Sequence, residues 1–250
     1  MISGVEFYNI CNWNLCGRYP ISFTKEKIKD NDTVFVNTDM VWGFIDFLKK
    51  NRIPKINVVF HNSDLSFTEE MFLHLKTYCN KIYAANCIVS DEMVVKIPLG
   101  FSDRMVNNIS NVVPLDDKKN LLYLNFNIHS GRISERTECR SFFQNFEWVK
   151  FEDNISEDEY YKGLNLSKYS ACPIGAGLDT HRFYESIYLN TVPIVKRNDI
   201  SDLHLKFPCV IVDRWEDITE KYLIDSYDEN LNNILKWKKE NKWVSKYWIN

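Results

Sequence analysis

The chain has 250 residues, 45% of them hydrophobic and 26% charged, and a formal net charge of -3. That length accommodates one large or two small domains, and the slightly negative balance, with no basic tract, excludes a nucleic-acid partner held by phosphate neutralisation. The seven cysteines, at positions 11, 16, 79, 87, 139, 172 and 209, include no C-x-x-C pair, which favours reduced thiols over a disulfide framework or a zinc site.

The N-terminus has no charged segment followed by an apolar run, and nowhere do about eighteen apolar residues run together. The expectation is a protein without secretory signal or membrane span, in the cytoplasm. In chain order, Val5 to Asn9 is expected as a strand, followed by an irregular stretch with Cys11, Trp13, Gly17 and Pro20. Thr33 to Asn37 and Ile56 to Phe60 are β-branched, apolar runs that predict buried strands, and Met40 to Lys50 has helical period. Thr68 is placed to cap a helix to about Tyr78, and strands follow over Lys81 to Ala85 and Met93 to Pro98. Strand and helix alternation of this kind predicts a parallel α/β sheet.

The polar stretch from Gly100 to Asn120 reads as a connection, so the predicted domains are 1–115 and 116–250. In the second, strands are expected over Leu121 to Phe126 and Glu147 to Phe151, and helices over Ile133 to Phe143 and Glu157 to Leu164. Cys209 to Val212 is a further strand, and Asp228 to Lys246 a charged amphipathic helix.

The densest segment is Ser167 to Lys196, SKYSACPIGAGLDTHRFYESIYLNTVPIVK. A short small or apolar run, Tyr169 to Cys172, leads to the turn Gly175-Ala176-Gly177, whose backbone can approach a ligand closely. Asp179 or Thr180 then caps a helix. On it Phe183, Tyr184, Ile187 and Tyr188 share one face, expected to pack, while His181, Arg182 and Glu185 share the other, expected to be available for chemistry. Val192 to Val195 follows as a strand. A glycine turn leading into a helix N-terminus with an arginine in its first turn suits a phosphate or diphosphate, and Glu185 can accept from a ribose hydroxyl pair. Equally, Arg182 and Glu185 read as a plain surface pair.

In open α/β sheets ligands sit beyond the carboxyl ends of strands. That rule selects Asn37-Thr38-Asp39 and His61 to Asp64 in the first domain, and Asn125 to Ser130 and the Gly175 turn in the second. Arg132 and Arg136, at the start of the helix after Asn127, add positive charge near the turn. Asn62 to Asp64 also read as residues that cap the turn after their strand, and His61 as a structural histidine. His74, His129 and His204 are expected to be structural or on the surface.

The run S-K-Y-x-x-C-P-x-G-x-G-x-D-T-H-R-F-Y-E-S-I-Y-L-x-x-V-P-I-V resembles the donor-binding segment of exostosin-like glycosyltransferases, a GT-B family with small viral and bacterial members. The likeness covers about Leu121 to Asp213; the N-terminal half is looser. It implies two Rossmann-like α/β domains facing across a cleft, and transfer of a sugar from a nucleotide diphosphate to a glycan acceptor hydroxyl. UDP-sugars, UDP-xylose among them, are the implied donors, with inversion and no cofactor. The donor pocket would comprise Gly175, Ala176, Gly177, Thr180, His181, Arg182 and Glu185, with Asn125, Arg132 and Arg136. With no D-x-D motif in a plausible loop, arginines and helix amides would replace a metal ion. The H-N-S-D cluster also resembles this family, which favours Asp64 as general base over His61 and Asp39. Trp13, Tyr19 and Trp42 are candidates to stack on a sugar face. A small viral or bacterial protein, in the host cytoplasm if viral, is the matching context. A more distant similarity, to GDP-fucose-dependent fucosyltransferases, keeps that donor open, as does a non-catalytic binding module of the same fold.

Overall fold

A computed structural model describes residues 1–17, 22–129, 131–240 and 242–249; Tyr19, Pro20 and Ser130 lie outside the described residues. The chain divides into two compact units, Met1–Asp103 with Trp243–Asn250, and Arg104–Lys242. The division thus falls earlier than position 115, and the last residues return to the first unit.

In the first unit, β1 (Trp13–Asn14), β2 (Thr33–Asn37), β3 (Ile56–His61), β4 (Cys79–Ala84) and β5 (Val94–Lys96) form one parallel sheet in sequential order. Val34, Val36, Val58, Phe60 and Ile82 from the strands bury against Phe44, Ile45 and Leu48 of α2 (Val41–Lys50) and Met71, Phe72 and Leu75 of α3 (Glu69–Leu75). Near-continuous apolar runs mark strands covered on both faces, which is why β2 and β3 stand out in the sequence.

The opening segment departs from expectation. Gly4–Asn9 is a helix, α1, and not a strand. Ser3 is its N-cap, its hydroxyl accepting from the Glu6 amide, so the apolar run Val5 to Tyr8 begins at a Ser-x-x-Glu start signal that outweighs its β-propensity.

The second unit carries α4 (Val106–Ser110), β6 (Asn120–Leu124), α5 (Ile133–Phe143), β7 (Val149–Phe151), α6 (Glu157–Asn165), β8 (Ser167–Ala171), α7 (His181–Tyr188), β9 (Val192–Lys196), α8 (Ser201–His204), β10 (Val210–Val212) and α9 (Glu220–Lys239). Its sheet is parallel with order β10-β9-β8-β6-β7. The chain steps from β6 to β7 on one side, then returns past β6 to lay down β8, β9 and β10 on the other. Such a reversal splays the connections leaving the two strands that flank it, here β6 and β8, and opens a crevice at their carboxyl ends. Both units are therefore Rossmann-like α/β folds, but only the second has a reversal. The last helix begins at Glu220, well before the expected Asp228, because the Thr219 hydroxyl accepts from the Tyr222 amide and caps it there. Among the described residues no helix is long and apolar enough to cross a membrane.

A buried lysine ties helix ends together in this unit. Lys118 Nζ donates to the carbonyls of Asn165 (2.7 Å) and Leu189 (2.6 Å), at the ends of α6 and α7, and lies 3.4 Å from Thr191 Oγ1. Lys238 on α9 donates to the Tyr188 carbonyl at 2.6 Å and to Asn190 Oδ1 at 2.7 Å. Cations at helix C-termini oppose the dipole and satisfy carbonyls that have no partner within the helix. Burial pulls the Lys118 amine down to about 7, with the neighbouring Lys238 charge adding to the effect. Replacing Lys118 by Met leaves those acceptors unpaired and should lower stability by about 1–3 kcal/mol. Urea unfolding checks this; an unchanged midpoint would mean that the carbonyls find other partners.

Candidate functional site

The reversal places two loops side by side, the one after β6 (Asn125 to Arg132) and the one after β8 (Cys172 to Thr180). Their contact is backbone on backbone. Arg132 N donates to the Gly175 carbonyl at 3.0 Å, and Gly131, at φ +75°, lies where a Cβ would come within 2.2 Å of Ala176 N and 2.3 Å of Gly175 C. Within the second loop, Gly175 N donates to the Gly177 carbonyl at 3.0 Å. The sequence singled out Gly175 and Gly177, yet Gly131 has a tighter steric requirement than Gly175.

Side chains lock this mouth. Arg136 donates from Nε to the Ile174 carbonyl (3.0 Å) and from Nη1 to the Asn127 carbonyl (2.8 Å), so it spans both loops. Its Nη2 lies close over Gly175, where a Cβ would sit 2.8 Å away. Glu135, one residue earlier, accepts from Ile174 N at 3.1 Å, and burial raises its pKa. Asn125 donates to the Glu152 carbonyl at 2.9 Å and so ties the β6 end to β7. Arg136 and Asn125, both expected at the ligand, use these donors on the protein itself.

Helix α7 opens this site. Thr180 is its N-cap in extended conformation, but its side chain caps none of the first-turn amides. Asp179 instead folds back, its Oδ1 accepting from Thr180 N at 2.9 Å and its Oδ2 from the Tyr184 hydroxyl. His204 Nε2 stands 3.7 Å from Asp179 Oδ1, both side chains buried. His204 is thus a core residue, its ring against Phe183 at a centroid distance of 4.7 Å.

Phe183, Tyr184, Glu185, Ser186 and Ile187 of α7 are buried, whereas His181, Arg182 and Tyr188 are half-buried, so of the face expected to be available for chemistry Glu185 is enclosed and His181 and Arg182 stay partly exposed. Arg182 lies with its guanidinium 5.6 Å from the Phe126 ring centroid and 5.7 Å from that of Tyr160, a stacked cation on two aromatic faces. Its Nε is buried and has no hydrogen-bond partner among the described residues. Burial opposes its charge, but the surrounding Tyr160, Cys172 and Glu185 outweigh that and raise its proton affinity. Glu185, one turn further along the helix, is 3% exposed. Desolvation raises its pKa, opposed by the hydrogen bond from the Tyr160 hydroxyl to Oε2 (2.7 Å) and by His181 and Arg182. Tyr160, held protonated by its own burial, is a site residue that the sequence did not mark, because a tyrosine on α6 carries no local signal of the helix it meets. Phe126, which Arg136 also approaches at 6.0 Å, was missed in the same way.

The first-unit candidates form a separate cluster at the ends of β2 and β3. Asn37 Nδ2 donates to the Asn62 carbonyl at 3.1 Å, Asn37 Oδ1 accepts from Asp39 N at 2.8 Å, and the Ser63 hydroxyl donates to Asp39 Oδ1. His61 is buried, with Nδ1 2.9 Å from Asn62 Oδ1 and Nε2 3.2 Å from the Pro98 carbonyl. Both ring nitrogens are engaged, as in a structural histidine. Asp64 is exposed, and its carboxylate has no partner among the described residues. Trp42 is 43% exposed and edge-on to His74 at 5.9 Å. All seven cysteines are free thiols.

The sequence matches no protein-family model and no curated protein. Among solved structures, the chain is similar to an E. coli trehalose-6-phosphate structure bound with UDP-2-fluoro glucose, with 10% identity, a TM-score of 0.47, and 88% of this chain and 73% of that one covered. Acinetobacter baumannii MurG shares 11% identity at a TM-score of 0.43, over 84% of this chain and 69% of its own. A GtfA/B complex shares 10% at 0.43, over 89% and 55%.

Two outcomes follow from the site's packing. Gly131→Ala should lose about 1–2 kcal/mol from the positive φ alone, and more from the collision with Ala176 N; an unaltered melting temperature would contradict the backbone contact. For Glu185 the raised native pKa means that wild-type stability falls as pH rises through it, whereas Glu185→Gln carries no such loss. The stability of Glu185→Gln relative to wild type should therefore increase from the ordinary carboxylate range, about 4.3, toward neutral pH. Equal pH profiles in urea unfolding would show that the buried carboxylate is fully compensated.

Proposed function

We propose that the chain is a glycosyltransferase that moves a sugar from a nucleotide diphosphate to an acceptor hydroxyl, with the donor held at the mouth between the β6 and β8 loops. The observation that carries this reading is Arg182: a half-buried arginine whose enclosed Nε has no hydrogen-bond partner among the described residues, in the first turn of a helix whose N-cap side chain binds none of its amides, at the sheet's reversal. An anion with several oxygens, such as a diphosphate, satisfies both the amides and the guanidinium.

In the reaction the acceptor oxygen attacks the anomeric carbon as the bond from that carbon to the diphosphate oxygen breaks, through an oxocarbenium-like transition state. The negative charge that develops on the leaving diphosphate is met by Arg182, His181 and the α7 amides, with the Gly175 to Gly177 turn allowing close backbone approach. Arg132 is the arginine of the α5 start that adds charge there, while Arg136 holds the loops. Glu185, with Oε2 fixed by Tyr160, presents its other oxygen to the ribose. The acceptor proton passes to a carboxylate, and Asp64, exposed and unpartnered at the end of β3, suits that task better than His61 or the Ser63-bonded Asp39. We read the transfer as inverting and independent of a metal ion, and the donor as a UDP-sugar, with UDP-xylose one case.

Thermal unfolding with UDP, GDP, ADP and CMP, each with and without EDTA, tests the site. Ligand at about a hundred times its Kd should stabilise the fold by roughly 2.7 kcal/mol. Protection by UDP that survives EDTA and is lost in Arg182→Met is the expected result, followed by turnover of a UDP-sugar. Protection by GDP alone would shift the donor to a GDP-sugar. Protection by no nucleotide would overturn the donor site, and UDP binding without turnover of any sugar would overturn the catalytic role.

A further inference from the structure

The first unit contains a hollow that the donor site does not use. It measures about 600 Å³ and is walled by Leu15, Phe23, Val36, Phe44 and Phe47, with Asp39 at its rim. Such a volume lies within the range of small-molecule sites, which pair mostly apolar walls with a few polar groups that fix orientation. The aromatic walls are ordered against each other: Phe23 meets Phe44 edge-on at 6.3 Å and Phe47 edge-on at 5.1 Å.

Gly43 lines the space on its α2 side and is itself exposed. It sits inside α2, where glycine weakens a helix relative to alanine, and a Cβ there would meet no atom within 4 Å. No close approach of backbone requires this glycine. Its effect is to leave one wall of the hollow bare.

Asp39 supplies the polar element. Its Oδ1 is held by the Ser63 hydroxyl and its amide by Asn37 Oδ1, so the carboxylate is oriented; Oδ2 has no partner among the described residues. An ionised carboxylate accepts hydrogen bonds and donates none. A ligand here needs an apolar body and one donor.

We propose that this hollow is a binding site for a compact, neutral aromatic alcohol, its rings among Phe23, Phe44 and Phe47 and its hydroxyl donating to Asp39 Oδ2. The assignment is independent of the transferase reading.

The probe is 2-naphthol, followed by its own fluorescence without nucleotide, against 2-methoxynaphthalene, which has the same rings but no donor. Wild type should bind 2-naphthol saturably, one per chain, and at least tenfold more tightly than the ether. Gly43→Leu, which fills the hollow from the helix, should weaken both at least tenfold, and Gly43→Ala less. Asp39→Asn should abolish the preference for the alcohol and leave the ether unchanged. Urea unfolding of each variant shows that it is folded. Absence of saturable binding in wild type, or undiminished binding in a folded Gly43→Leu, overturns the site; a preference that survives Asp39→Asn overturns the role of that carboxylate. A protein that binds 2-naphthol but is protected by no nucleotide would retain this site and lose the proposed donor site, and the converse result would do the opposite.

Discussion

The second unit depends on two loops that touch through their backbones. Parallel strands on either side of a chain reversal send their connections apart, and a crevice so formed has no intrinsic shape. Here Gly131 lets the β6 loop lie against the Gly175-Ala176 peptide, at a distance no side chain permits, and the Arg132 amide closes the contact on the Gly175 carbonyl. Arg136 and Glu135 then hold the Ile174 segment through its carbonyl and its amide respectively. The result is a mouth whose geometry is set before any ligand arrives, which is the condition for charge stabilisation without reorganisation.

That rigidity divides the arginines by task. Arg136 is spent on carbonyls of both loops, whereas Arg182 is held by aromatic faces that take no hydrogen bonds in the guanidinium plane. Stacking fixes the position of a cation while leaving its donors for a partner in that plane. Glu185 is arranged in the same manner, with one oxygen held by Tyr160. Glu185 is buried and Arg182 half-buried on one helix, and enclosing charge in this way is costly.

Much of this was legible because the strands are short apolar runs with clear ends. β2, β3, β6 and β9 fall within a residue or two of expectation, and α5 spans Ile133–Phe143 as the pattern indicated. Capping decided where reading failed: Ser3 turns an apolar run into α1, and Thr219 starts α9 early. The α7 pattern had a different fault. Helical spacing separates faces but does not say what covers them, so Glu185 was assigned to an open face that α6 in fact closes through Tyr160. Long-range partners such as Phe126 for Arg182, or Lys118 for two helix ends, depend on strand order, which no local window contains.

The two units also make room for a ligand by different physical means. The second has a reversal, so its crevice comes from topology, and glycine serves there to bring backbones together. The first has strands in sequential order with no reversal, and no crevice arises from its strand order. Its hollow lies beside α2, lined by Gly43 together with Phe44 and Phe47. A topological crevice exposes backbone amides and suits anions, whereas a hollow between apolar side chains exposes their flanks and suits apolar groups. The linings differ accordingly, arginine and backbone in one, phenylalanines and a single carboxylate in the other.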